Sequence, residues 1–144
     1  MRSLLDVNVL LALLDANHIH HREALAWWDA HQGEGWASCP LTQNGVLRIM
    51  SSQSYLNRRP AAEVAERLAL VTAHAGHQFW ADGPSLLEPG IVKWAHVIGA
   101  RQITDVYLLA LAVRKGGRFV TLDKGISLHA IPDAKSHQLV TLFP

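Results

Sequence analysis

A chain of 144 residues, 49% of them hydrophobic, has the length and apolar content for one domain built on one sizeable core, here taken as residues 1–144. A net charge of +1 does not give the strongly basic surface from which nucleic-acid binding follows by composition alone. One cysteine, Cys39, excludes an intramolecular disulfide and suits a reducing, cytoplasmic setting, and no run approaches the roughly 18 apolar residues that span a membrane.

The apolar run from Leu4 to Leu14 is interrupted by Asp6 and Asn8 and closed by Asp15 with no Ala-x-Ala pattern, so it reads as part of the fold and not as a signal peptide. Ser3 to Leu5 predicts a short buried strand, and Val7 to Leu14 a helix packed on several sides. A second helix is expected from about His20 to His31, with His21, Leu25 and Trp28 on one face. Gly35 to Ser38 reads as a strand, with Cys39 half-buried at its end, and Pro40 starts a helix that runs to Met50. Pro60 opens another helix, in which Val64, Leu68 and Val71 share a face. Gln78 to Trp80 suggests a short strand, and a weaker helical stretch covers Pro89 to Ile98. Thr104 is the expected N-cap of a helix from Asp105 to about Lys115, which ends at Gly116-Gly117. Strands follow at Arg118 to Leu122 and Leu139 to Leu142. Strands alternating with helices imply an α/β fold with a mostly parallel sheet covered on both faces.

Asp6 follows the first strand, Asp123 follows a later one and Asp105 begins a helix. In an open parallel sheet, strand ends and helix starts meet at the carboxyl edge, so three acids far apart in sequence can converge there. Two carboxylates about 4 Å apart repel by about 4 kcal/mol at an effective dielectric near 20, and a cation relieves this. An all-oxygen set favours Mg²⁺, or Mn²⁺ as a substitute, over Zn²⁺. Phosphodiester hydrolysis by a metal-activated water is the reaction such a site suits. Drawing three acids inward leaves the remaining surface more basic, with Arg48, Arg101, Arg114, Lys115, Arg118 and Lys124 as candidate phosphate contacts. Taken singly, each aspartate reads as an N-cap or first-turn residue; it is their joint placement that points to a site.

Through Leu4-Leu5-Asp6-Val7-Asn8-Val9-Leu10, His18 to Trp28, Cys39-Pro40-Leu41-Thr42-Gln43, Thr104-Asp105-Val106-Tyr107-Leu108-Leu109-Ala110 and Thr121-Leu122-Asp123, the chain resembles the PIN-domain ribonucleases, and more closely the VapC toxins of type II toxin-antitoxin pairs. The resemblance implies a three-layer fold with a roughly five-stranded parallel sheet flanked by helices, a Mg²⁺-dependent endoribonuclease acting on RNA, a homodimer and a cognate VapB-like antitoxin. Carried over by position, Asp6, Asp105 and Asp123 are the catalytic, metal-binding acids, and Asn8 and Thr121 are polar supports. Many PIN domains carry a Glu where this chain has Gln43, which brings an amide oxygen but no charge; fewer charges mean weaker metal binding. Asp82 is a candidate further acid, against an ordinary turn aspartate.

The first motif is also similar to that of haloacid-dehalogenase phosphatases, but the second acid they need is Asn8 here, and no paired acids follow Asp105. No G-x-G-x-x-G follows the first strand, which counts still more strongly against a dinucleotide-binding fold. His18, His20 and His21 have no Cys or fourth His at zinc spacing, and read as a solvated helix start. Trp27, Trp28, Trp36, Trp80 and Trp94 read as core or interface before they read as base-stacking platforms. The rival from another class is a catalytically impaired PIN-like module that binds RNA or a partner, for which Gln43 is the best support and the three retained aspartates the counter-argument.

Overall fold

The computed structural model describes residues 1–81 and 83–142. Five strands form one sheet: β1 (Ser3–Leu5), β2 (Trp36–Ser38), β3 (His77–Phe79), β4 (Arg118–Thr121) and β5 (Leu139–Thr141). Five α-helices connect or flank them: α1 (Val7–Leu14), α2 (His21–His31), α3 (Pro40–Met50), α4 (Ala61–Thr72) and α5 (Ile103–Arg114). The strands lie in the order β3-β2-β1-β4-β5, and every neighbouring pair is parallel. The chain thus builds outward from β1 to β3, then crosses over and builds outward again from β4. The reversal falls between β1 and β4, the place where open parallel sheets leave a crevice at their carboxyl ends.

Side chains alternate across the sheet, and both faces are covered. Leu4, Ala37 and Phe119 pack into a core with α5 residues such as Leu108, Leu109 and Leu111. Leu5, Trp36 and Val120 turn the other way, onto Val9 and Leu10 of α1, Val46 of α3 and Val64 and Leu68 of α4. Period-two alternation with both sides apolar requires a three-layer stack, because each face needs its own cover of helices. Leu4, Leu5, Leu108 and Leu109 are fully buried, and each such side chain contributes about 1.5–3 kcal/mol relative to exposure.

Local chemistry accounts for the element ends. Helix α5 stops at Lys115; Gly116 then takes φ +70°, Gly116 N–H donates to Val113 and Gly117 N–H to Ala112, the left-handed termination for which glycine is suited. Helix α3 opens on Pro40, with the Cys39 N–H donating to the Thr42 hydroxyl at 3.0 Å. Cys39 is fully buried there rather than half-buried. The close approach of α3 to α1 depends on Gly45, where a Cβ would sit 2.6 Å from Val7 Cγ2.

Several expectations are corrected. The stretch Pro89 to Ile98 is not an α-helix; it contains only a 3₁₀ turn, Trp94–His96, in otherwise irregular chain. Its apolar residues Ile91, Val92 and Val97 pack on the α5 side of the core without helical periodicity. Thr104 is not an N-cap. A 3₁₀ turn at Ala100–Gln102 runs directly into α5, so the cap position falls on Gln102 and Thr104 is already helical. β3 is set one residue earlier than Gln78 to Trp80, and β4 and β5 each end one residue sooner than expected. Among the described residues no helix is long and apolar enough to cross a membrane.

Candidate active site

Asp6 leaves β1 and caps α1. Its backbone N–H still pairs with Val120 of β4 at 2.9 Å, while its carboxylate accepts the Val7 N–H at 2.7 Å and the Thr121 hydroxyl at 2.6 Å. Asp123 follows β4 and caps the loop after it, accepting the Gly125 N–H at 2.7 Å. The same Thr121 hydroxyl oxygen that donates to Asp6 accepts the Asp123 N–H at 3.0 Å. One small side chain therefore ties two of the acids together across the crevice between β1 and β4.

Asp105 arrives from the third direction, in the first turn of α5, where the N-terminal end of a helix favours a negative charge. It is buried, at 8% exposure, beside Asp6 at 5%. Burial, then the charges of Asp6 and Asp123, then a hydrogen bond shared with Asp123 push the Asp105 carboxyl up to about 7. Asp6 is also raised, by burial first and by Asp123 last, although the Thr121 and Val7 hydrogen bonds work against this. The three aspartates thus come together at one place, where the charges of Asp6 and Asp123 both act on Asp105.

Among the described residues the ion pairs join Met1 to Glu34, Arg114 to Glu88 and Arg118 to Glu34, and none reaches the three aspartates. Nor do three His, Cys, Asp or Glu side chains among the described residues form a ready-made metal cage. The donors that Asp6, Asp105 and Asp123 offer are carboxylate oxygens, a set that suits Mg²⁺ better than a structural Zn²⁺.

The neighbouring positions divide. Asn8 sits inside α1 and its Oδ1 accepts the Leu122 N–H at 3.3 Å, steadying the loop that carries Asp123. Gln43, in the first turns of α3, donates its amide to the Ser38 hydroxyl at 3.0 Å, and Ser38 lies 2.7 Å from His77 Nε2. Its amide is engaged toward β2 and β3, and no hydrogen bond links it to the three acids among the described residues. Asp82 lies outside the described residues. Of the basic candidates, Arg101 and Lys124 are exposed beside the acids' loops and Arg48 is exposed on α3. Arg114 and Lys115 end α5, at the far edge of the sheet. Arg118 is bound there too, to Glu34 at 3.1 Å and to Ser3 at 2.7 Å, so Arg114 and Arg118 are structural ion-pair residues and not phosphate contacts of this crevice.

The histidines near the second helix are held by backbone. His21 Nδ1 lies 2.6 Å from the Ala12 carbonyl, and His18 Nδ1 accepts the His20 N–H at 3.0 Å. One residue beside the site escaped sequence reasoning. Gln102 accepts the Ile98 N–H at 2.9 Å and donates to the Gly125 carbonyl, joining the turn before α5 to the loop after β4. A lone glutamine before a helix carries no local signal of such a bridge.

A doubly covered parallel sheet with acids at its switch point is the architecture of a PIN domain, and the PIN domain family model matches residues 3–132. Ribonuclease VapC44 of Mycobacterium tuberculosis (strain ATCC 25618 / H37Rv) is 45% identical over 142 residues, 99% of this chain and 100% of that protein. Ribonuclease VapC39 of the same strain is 42% identical over 129 residues, 88% of this chain and 92% of that one. The fold also matches the crystal structure of VapBC2 from Rickettsia felis bound to a DNA fragment from their promoter, with a TM-score of 0.60, 12% identity and 98% of both chains covered. The chain belongs to the PIN-domain family and, within it, to the VapC ribonucleases.

Proposed function

We propose that this chain is a Mg²⁺-dependent endoribonuclease, the toxin of a VapBC-type pair, in which Asp6, Asp105 and Asp123 hold the metal. The observation that carries the reading is the convergence of three aspartates from β1, α5 and the loop after β4, with burial and the charges of Asp6 and Asp123 pushing Asp105 up to about 7. Such a pocket is costly for the protein alone and becomes favourable when a divalent ion enters. A bound cation supplies the charge neutralisation and Lewis acidity that phosphodiester cleavage needs, and Mn²⁺ can replace Mg²⁺ in that role. The chain's own part is to hold the acids in place. Thr121 fixes Asp6 and Asp123, the start of α5 presents Asp105, and Gln102 keeps the flanking loops together.

Family membership supports three further parts of the reading: RNA as substrate, a cognate VapB-like antitoxin that blocks the acidic crevice, and a homodimer. Protein purified free of antitoxin is expected to cut RNA with Mg²⁺ or Mn²⁺ and to stop in EDTA. Asp6→Asn or Asp105→Asn is expected to disable it. Undiminished cleavage by either variant would place the activity elsewhere. Absence of cleavage on any RNA, with binding retained, would favour the PIN-like binding module. A short open reading frame immediately upstream, whose product co-purifies with the chain, is the expected genetic sign of the pair.

A further inference from the structure

The turn Trp94–His96 packs against the turn Leu128–Ala130, with the Lys93 N–H donating to the Ala130 carbonyl at 2.8 Å. Between them is a cavity of about 390 Å³. Lys93, His96 and His129 provide its polar walls, and Leu128, Ile131 and Pro132 much of its apolar lining. The imidazoles of His96 and His129 stand 5.7 Å apart, tilted by 45°. In the same turn as His96, Trp94 is 49% exposed, whereas Trp36 and Trp80 are buried and Trp27 and Trp28 are half-buried. Among the described residues no carboxylate pairs with Lys93.

We infer that this cavity, together with the exposed Trp94 of the turn that supplies His96, receives a nucleotide of single-stranded RNA flanking the cleaved bond. The inference rests on the ribonuclease reading above. The chemistry matches part by part. Unstacked bases are held by aromatic faces, His and Trp among them, an ammonium meets the phosphate, and the volume falls in the range of small-ligand sites. An acidic peptide would satisfy Lys93 but would leave three aromatic rings without a use.

The cavity's place relative to the acids suits the role. His129 lies six residues beyond Asp123, and His96 six residues before Gln102, which is itself bonded to Gly125. Six residues of extended chain reach about 20 Å at most, so a strand crossing the acid crevice can come within a few nucleotides of the cavity. Trp94 stands out because leaving a large aromatic side chain in water forgoes the burial that the other tryptophans obtain.

The test uses the full chain carrying Asp6→Asn, which leaves RNA uncut, titrated with a short fluorescein-labelled single-stranded RNA of mixed sequence over a series of salt concentrations. Adding His96→Ala with His129→Ala, or Trp94→Ala alone, is expected to weaken binding about tenfold. Lys93→Gln is expected to reduce the salt slope by about 0.7. In the cleaving chain the same changes raise KM and spare kcat. Trp94 and Lys93 are exposed, so their variants keep the test open should the double histidine variant fail to fold. Unchanged affinity and slope in a chain that still cuts RNA would overturn the cavity assignment alone. If the unmodified chain neither binds nor cuts any RNA, both readings fall. Loss of self-association in Trp94→Ala by sedimentation, with RNA affinity intact, would assign the patch to a second copy and overturn the inference.

Discussion

The Thr121 hydroxyl is fully committed: it donates to Asp6 and accepts from the Asp123 N–H, and the residue is wholly buried. Thr121→Val keeps the shape and removes both bonds. On the proposed reading of Asp6 as a metal ligand, loss of such an orienting partner costs about 10–100-fold, so RNA cleavage at limiting Mg²⁺ should fall by that factor. Recovery of much of the rate at high Mg²⁺ would confirm that metal affinity was the casualty. Asp105 makes the opposite kind of prediction. A carboxyl raised from 3.8 to about 7 in the folded chain binds more protons folded than unfolded between those values. Metal-free protein should therefore lose stability as pH rises from about 4 to about 7. Asp105→Asn removes that slope and should raise the melting temperature of the metal-free chain at neutral pH by about 3 °C, the equivalent of about 1 kcal/mol at this size. A lower melting temperature for this variant in EDTA would mean that the charge is already compensated. The positions of Asp6, Asp105 and Asp123 were legible in the sequence because each stands at a local boundary. Thr121 was legible as a support only through family resemblance, since no pattern marks a threonine at a strand end.

At the scale of elements, helices α1, α3 and α4 are joined by contacts that local periodicity does not reveal. Gly45 lets α3 approach Val7, and Val7 is β-branched and stiff, with little room to yield. Gly45→Ala is expected to cost about 1–3 kcal/mol by overpacking, visible as a lower urea midpoint. At the other end of α1, buried Asp15 accepts from the Tyr55 hydroxyl at 2.6 Å, the Asn57 amide at 2.8 Å and the Asn17 N–H at 3.0 Å, pinning the loop between α3 and α4. Burial alone would raise this carboxyl, but the hydrogen bonds from Tyr55, Asn57 and Asn17 and the nearby His18 hold it below its ordinary value. The stability it contributes is present above that ordinary value of 3.8 and is lost as pH falls through the lower folded value. Asp15→Ala should destabilise the chain by about 2 kcal/mol at neutral pH. Because α1 is about 12 Å long, the change should leave the proposed Mg²⁺-dependent cleavage by the remaining folded protein intact. Sequence reading stopped at Asp15 as the end of an apolar run; its partners lie about forty residues further on, beyond the reach of any helical or strand period.

For the whole molecule, the crevice exists because the order β3-β2-β1-β4-β5 sets the ends of β1 and β4 side by side. A divalent ion that binds there only in the folded chain should raise the melting temperature in proportion to the logarithm of its concentration, with about 2.7 kcal/mol of stabilisation at a hundredfold excess over Kd; EDTA should reverse this. Hydrophobic period, turn residues and the alternation of strands with helices made the α/β class and nearly every element readable, since these are short-range consequences of side-chain geometry. They misplaced the start of α5 at Thr104 and turned the irregular chain around Ile91 and Val97 into a helix, because the apolar residues there answer to a neighbouring helix and not to their own period. By itself the sequence determined which segments form strands and helices and that an aspartate stands at each of three such boundaries. Only the tertiary structure decided that those three meet, that Gln43 bonds to Ser38 and not to the acids, and that Trp94 alone of the five tryptophans is left in water. Contacts between distant segments depend on strand order and crossover, and no local pattern of residues encodes either.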